Sequence, residues 1–159
     1  MIIQVEQLNQ LSLLEFPEMF SSLKPPRADS LSGLYQGIFV GPAWIRGLAG
    51  PLLVVTGLGG WWGKEFDLQG NALNLVWRKG RIEHRYPMRL VDQESFIDKQ
   101  PGLALSYAPT NPFPWPWIVD ELRHIGNGML LGMTIAMPGP FQRLPLPFVL
   151  QHREQINGI

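Results

Sequence analysis

The sequence predicts a mainly β protein, with about eight antiparallel strands that form a barrel or a strongly curled sheet. Two observations carry this prediction. Short strand-like segments follow one another along most of the chain, punctuated by 17 glycines and 15 prolines. Two of the connections, at Lys79-Gly80 and Asn127-Gly128, have the two-residue form of a tight β-hairpin. Sequential strands joined by hairpins are typical of up-and-down barrels.

The length favours one domain spanning residues 1–159, because domains most often contain about 100–150 residues. Within it, residues 1–30 are predicted to form a helical extension. Apolar residues there recur at spacings of three and four, as in an amphipathic helix. They are Leu8, Leu11, Leu14, Met19, Phe20 and Leu23.

Composition narrows the classes of function. The chain has no cysteine, which excludes disulfides and thiolate metal sites and suits a cytoplasmic protein. Thirteen basic and thirteen acidic residues cancel, which argues against nucleic-acid binding. The three histidines lack paired metal-ligand spacing, and no glycine-rich phosphate loop is present. We therefore predict no metal and no cofactor, while a homo-oligomer remains compatible with the sequence.

The first ten residues lack the basic and apolar regions of a signal peptide. The longest apolar stretch, residues 38–58, is interrupted by Arg46, Pro42 and Pro51. Because a spanning helix needs about 20 clean apolar residues, we predict no transmembrane segment. Residues 42–58 are expected to contain a short helix at 43–48 and an apolar strand at 52–56. This segment is either a lid over a cavity or a core strand.

The Asn127-Gly128 hairpin predicts which residues share a face, since directly opposite residues in a hairpin do so. The expected pairs are His124 with Leu131, Leu122 with Met133 and Asp120 with Ile135. This face is mostly apolar and is predicted to lie inside. The opposite face pairs Glu121 with Thr134 and Arg123 with Gly132, and it is predicted to face solvent.

The Lys79-Gly80 hairpin gives a similar pattern. Its expected pairs on the apolar face are Trp77 with Ile82, Leu75 with His84 and Leu73 with Tyr86. The other face is expected to be solvent-exposed, since it carries Asn74, Arg78, Arg81, Glu83 and Arg85.

These two inner faces predict a cavity with polar groups on its wall. Buried polar groups must be hydrogen-bonded, so several of them inside a barrel favour a wet or ligand-filled interior. His124 lies near the end of its hairpin and is expected at a barrel mouth. The predicted ligand-binding residues are His84, Tyr86, Asp120, His124, Trp77, Leu122 and Met133.

Several short motifs resemble the GXWXG domain and the domain of unknown function that commonly follows it. The first part has Phe20-x-x-Leu23-Lys24-Pro25, Leu31-x-Gly33-x-Tyr35-x-Gly37 and Gly60-Trp61-Trp62-Gly63-Lys64-x-Phe66. The later part has Tyr107, Asp120-x-x-Arg123, the turn at 126–128, Leu131-Gly132-Met133 and Phe148-x-Leu150. Tyr35 replaces the tryptophan that names the family. The resemblance implies a lipocalin-like β-barrel and supplies no catalytic residues.

The leading functional hypothesis is a non-enzymatic protein that binds a small, largely apolar molecule in a barrel cavity. One alternative is a small enzyme that uses His84, Tyr86, Asp120 and His124 for acid–base chemistry. Another is an interaction module whose contact edge is the proline- and tryptophan-rich segment 109–117. The sequence does not identify the ligand.

Overall fold

A computed structural model describes residues 2–137 and 144–156 of the chain. Eight strands form a closed antiparallel barrel in which each strand pairs with its sequence neighbours and the last pairs with the first. The predicted fold class is therefore confirmed. The strands are β1 (Gly33–Phe39), β2 (Trp61–Phe66), β3 (Asn71–Arg78), β4 (Arg81–Glu94), β5 (Pro101–Tyr107), β6 (Ile118–Gly126), β7 (Met129–Ala136) and β8 (Leu146–Arg153).

Helices precede and interrupt the barrel. The N-terminal extension contains α1 (Val5–Leu8) and α2 (Phe16–Ser21), as its periodicity predicts. A single longer helix, α3 (Ala43–Val55), connects β1 to β2. The prediction of a strand at 52–56 is therefore wrong. The hydrophobic periodicity of a short apolar run does not distinguish a buried strand from a helix. Among the described residues, two 3-10 turns lie at Ala28–Ser30 and Trp115–Trp117.

The strand order defines two ends of the barrel. At the end that we call the α3 end lie α3, the turn between β3 and β4, and the segment between β5 and β6. The β2–β3, β4–β5 and β6–β7 connections lie at the opposite end, because neighbouring strands run antiparallel. The position of a residue along its strand therefore fixes its distance from either end.

The β6–β7 turn has the predicted form but not the predicted register beyond it. Asn127 and Gly128 both have positive φ, 52° and 68°, as a type I′ turn requires. A β-bulge at Ile125 then shifts the pairing by one residue. The actual pairs are Asp120 with Thr134, Leu122 with Gly132 and His124 with Leu130. The predicted partners Ile135, Met133 and Leu131 consequently fall on the outer face.

The outer face of β6 and β7 is covered rather than solvated, which corrects the prediction for Glu121 and Arg123. Both side chains are 3% exposed, and the Glu121 carboxylate accepts hydrogen bonds from Ser95 Oγ and the backbone N–H of Phe96 in the β4–β5 connection. Arg123 donates hydrogen bonds to the carbonyl oxygens of Phe20 and Leu23 and forms an ion pair with Asp98. An apolar cluster that includes Phe16, Phe20, Leu131 and Met133 surrounds these groups. A second core therefore lies outside the barrel wall.

The β3–β4 hairpin also has its predicted turn, and its inner and outer faces are the reverse of the prediction. Lys79 and Gly80 have φ of 49° and 76°, and Leu75 pairs with His84 as expected. The interior side, however, is the one that carries Asn74, which is fully buried. The predicted pairing of Leu73 with Tyr86 is absent because β4 bulges there, with Tyr86 at φ 55°. The inner face of β3 thus carries the polar Asn74 between Ala72 and Val76, which belong to the apolar cluster inside the barrel.

Candidate functional site

The barrel contains a cavity of about 320 Å³ at its α3 end. Helix α3 forms one side of it, and two of the lining residues on this helix, Leu48 and Leu52, are about half exposed. The cavity therefore lies directly behind a partly exposed helix. Apolar side chains make up most of the wall, including Ile45, Ala49, Leu53, Leu58, Trp61, Trp115, Ile118 and Phe148.

Two glycines on the barrel wall make room for aromatic rings in this space. A Cβ on Gly37 would overlap the indole of Trp61, and a Cβ on Gly132 would overlap the ring of Phe148. The two rings meet edge to face, with centroids 5.9 Å apart and an interplanar angle of 84°. Trp61 and Phe148 therefore occupy the interior because the strands that they face have no side chain there.

A buried lysine stands deep in this apolar cavity. Lys64 alternates with the outward-facing Glu65 on β2, and its side chain is 2% exposed. Its ammonium nitrogen lies 3.1 Å from Asp120 Oδ2 in an ion pair. It also donates hydrogen bonds to Asn74 Oδ1 at 3.0 Å and to Tyr107 Oη at 3.1 Å. A buried charge needs such partners, since burying an ammonium alone would be very costly.

Further hydrogen bonds join these residues and Thr134 into what we call the polar cluster, defined as Lys64, Asn74, Tyr107, Asp120 and Thr134. The Thr134 hydroxyl donates to Asp120 Oδ1 at 2.8 Å, and Asn74 Nδ2 donates to Tyr107 Oη at 3.2 Å. All five residues line the cavity. The cluster therefore supplies the polar part of the wall.

The environment determines the protonation states of two cluster members. Burial raises the pKa of Tyr107 to about 12, so its hydroxyl stays protonated at neutral pH. Burial alone would lower the pKa of Lys64, but the oxygens of Tyr107 and Asp120 outweigh it and raise that pKa above its ordinary value. The lysine is therefore a cation paired with a carboxylate.

The predicted site residues divide between this cavity and other places. Asp120 lines the cavity, and Leu122 packs in the apolar interior of the barrel. Tyr86 lies beside the wall, where its ring stacks on that of Trp115 with centroids 5.6 Å apart. These three residues are within or next to the predicted interior.

The other four predicted residues lie elsewhere, which corrects the interior placement of both histidines. His84 is on the outer surface, where its Nε2 is 2.9 Å from Glu65 Oε2, and Trp77 shares that outer face. Met133 lies outside the wall under the N-terminal extension. His124 is exposed at the end opposite α3, so its predicted position at the cavity mouth is wrong.

Sequence reasoning missed four of the five cluster residues. Lys64 and Tyr107 stand in the quoted motifs, but motif membership does not reveal the direction of a side chain. Asn74 was assigned to the solvent side of its hairpin. Thr134 was placed outside by the register that the bulge at Ile125 changes. The sequence contained one usable signal. Lys64 and Phe66 are two residues apart on a strand, so their side chains point to the same face of the sheet, opposite to that of Glu65.

Two further features bear on chemistry. Within residues 2–137 and 144–156, no group of three or more histidine, aspartate or glutamate side chains is placed to hold a metal ion. In the same part of the chain, no helix is both long and apolar enough to cross a membrane.

The fold and the cavity define a closed eight-stranded antiparallel barrel with a buried ion pair in its interior. A solved structure of a protein from Thermomonospora curvata is similar, with a TM-score of 0.64 and 24% sequence identity over 86% of this chain and 84% of that one. At this identity the likeness shows the fold alone. No protein-family model and no curated protein matches the chain.

Proposed function

We propose that this protein binds a small, largely apolar molecule in the cavity of its barrel. The observation that carries the proposal is a mostly apolar cavity of about 320 Å³ with a compact polar cluster on its wall. Small-molecule sites in proteins commonly have this form, in which apolar walls supply affinity and a few polar groups fix orientation. The aromatic rings of Trp61, Trp115 and Phe148 offer the large contact areas that such binding uses.

The same proposal includes the finer features that the sequence predicts. We propose a lipocalin-like barrel, in keeping with the resemblance to the GXWXG domain, and a cytoplasmic location, which suits a chain without cysteine. We also propose that nucleic acid is not a partner, since the chain carries no net charge.

An enzyme is the second candidate, and the contact between Lys64 and Tyr107 favours it over a purely structural cluster. A protonated tyrosine beside a cation could act as a general acid toward a bound carbonyl. His84 and His124 would have no part in this chemistry, because both lie outside the cavity. We rank this candidate second because the cluster groups already bond one another.

An interaction module is the third candidate, and it is favoured by Phe113 and Trp117. These side chains are 74% and 56% exposed and pack edge to face. Trp115 between them is buried, and its Nε1 donates to the Thr56 carbonyl at the end of α3. The segment 109–117 thus both packs against α3 and presents two aromatic rings to solvent.

The leading proposal predicts that Ala49→Phe weakens binding of a neutral apolar probe by about tenfold or more, because an aromatic ring added on α3 fills part of the cavity. N-phenylnaphthylamine is a suitable probe, since its fluorescence rises in apolar surroundings. Titration of the probe against the wild-type protein and the variant measures the effect.

The matched control is Ala43→Phe, which adds the same ring to the exposed first residue of α3, away from the cavity lining. We expect this variant to bind the probe as the wild type does. Equal affinities of the wild type and Ala49→Phe would place the probe outside the cavity. Absence of any saturable binding by the wild type would contradict the proposed function.

A further inference from the structure

The hydrogen bonds within the polar cluster determine which further hydrogen bond a ligand can form with it. The side-chain amide of Asn74 is oriented by its neighbours, because its Oδ1 faces two groups that can only donate. These are the Lys64 ammonium and Trp61 Nε1, each at 3.0 Å. The Nδ2 of Asn74 must then point the other way, where it donates to Tyr107 Oη.

The hydroxyl oxygen of Tyr107 therefore accepts two hydrogen bonds, from Lys64 at 3.1 Å and from Asn74 at 3.2 Å. Its lone pairs are used, and its own proton has to point elsewhere. Within residues 2–137 and 144–156, this hydroxyl donates to no acceptor. Tyr107 lines the cavity, so a ligand oxygen there would satisfy a buried donor that is otherwise left without an acceptor, which is unfavourable.

The charge of the cavity is balanced before any ligand enters. Among the lining residues of the described chain, Lys64 and Asp120 are the only ones with ionised side chains, and they pair with each other. A carboxylate or an ammonium on a ligand would thus introduce an uncompensated charge into a mostly apolar space. Burial of an unpaired charge is strongly unfavourable, whereas a neutral oxygen needs only one donor.

We infer that the ligand is an uncharged, largely apolar molecule whose polar end is an acceptor oxygen, such as a ketone, ester or alcohol, bound by the hydroxyl of Tyr107. This inference rests on the proposed function and identifies its ligand class. The cavity of about 320 Å³ lies at the lower end of the range of about 300–1,000 Å³ that is usual for small-molecule sites, so it suits a ligand no larger than a small drug. A molecule of that size places its oxygen at the polar cluster and its chain against α3.

Three probes of equal chain length but different head groups test this inference on the wild-type protein. They are decanone, decanoate and decylammonium, each measured at neutral pH by displacement of N-phenylnaphthylamine. We expect decanone to bind at least about tenfold more tightly than either ion, since the two ions must be desolvated without a counter-charge.

The role of the hydroxyl is tested by Tyr107→Phe, which keeps the ring and removes the donor. Decanone affinity should fall by about tenfold, while that of N-phenylnaphthylamine, which needs no such donor, should stay close to the wild-type value. The matched control is Tyr35→Phe, because Tyr35 is buried in the barrel but does not line the cavity. Thermal unfolding of both variants establishes that they fold.

The outcomes separate the ligand class from the function. Tighter binding of decanoate or decylammonium, or unchanged decanone affinity in Tyr107→Phe, would overturn the inference and leave the binding function standing. Binding of N-phenylnaphthylamine with no competition from any of the three compounds would do the same. Failure of the wild type to bind every compound would overturn the proposed function itself. Decanone, decanoate and decylammonium are compared on the wild-type protein. The inference can therefore be overturned even if a variant fails to fold.

Discussion

Replacing Lys64 with methionine is expected to lower the free energy of unfolding by about 3–5 kcal/mol, the range found when one member of a buried ion pair is removed. The Asp120 carboxylate is 3% exposed, and without Lys64 its remaining side-chain hydrogen bond is that from Thr134. Methionine has a similar length and leaves little empty space, so the loss reflects the orphaned charge. Urea unfolding followed by circular dichroism measures it.

The control for Lys64→Met also removes the carboxylate of Asp120, which that substitution leaves without its partner. In the double variant Lys64→Met with Asp120→Leu, neither ion remains, and we expect most of the lost stability to return. The single variant Asp120→Leu completes the double-mutant cycle and gives the coupling between the two side chains. A stability for Lys64→Met within about 0.5 kcal/mol of the wild type would show that this ion pair is not buried as described.

Gly63→Ala is expected to destabilise the barrel by about 3 kcal/mol, at the upper end of what overpacking usually costs. Gly63 lies on β2 opposite Gln36 of β1, and a Cβ there would overlap the carbonyl oxygen of Tyr35. The obstacle is backbone rather than a side chain, so it cannot move aside without separating β1 from β2. The thermal midpoint of unfolding should fall by several degrees.

The same substitution elsewhere in the chain provides a control. Gly47 lies in α3 with no atom within 4 Å of the position of an added Cβ, so Gly47→Ala meets no obstacle. Alanine favours a helix over glycine by about 0.5–1 kcal/mol, and we expect a small gain in stability. Equal effects of Gly63→Ala and Gly47→Ala would contradict the close approach of β1 and β2 at Gly63.

The sequence supports prediction of the fold to the level of strands and turns, because those signals are local. The positive φ at Asn127 and Gly128 follows from residue types that accept it, and the turn occurs where it is predicted. Helix α3 was only half predicted, since an apolar segment that carries Pro51 has no clear periodicity.

The candidate site was harder to predict because it depends on register and on which side of the sheet is inside. A single bulged residue, Ile125, exchanges the inner and outer partners along β7 and moves Thr134 into the cavity. No short-range signal in the sequence predicts that bulge. Asp120 was placed correctly because Asp120, Leu122 and His124 all precede the bulge on β6. The bulge therefore does not change which of them share a face.

The usual association of polar residues with solvent also failed in two places. Asn74 lies inside the barrel because Lys64 and Trp61 donate to it. Arg123 lies outside the barrel but is buried, because the N-terminal extension covers it and supplies carbonyl acceptors. Both cases depend on partners distant in sequence, whose proximity is created by the fold.

Native mass spectrometry of the chain purified without detergent shows whether the cavity holds one small neutral molecule. We expect a species heavier than the bare chain by one small molecule, which is released on denaturation and absent from Ala49→Phe. The bare mass for both proteins, or the same excess mass on both, would contradict it.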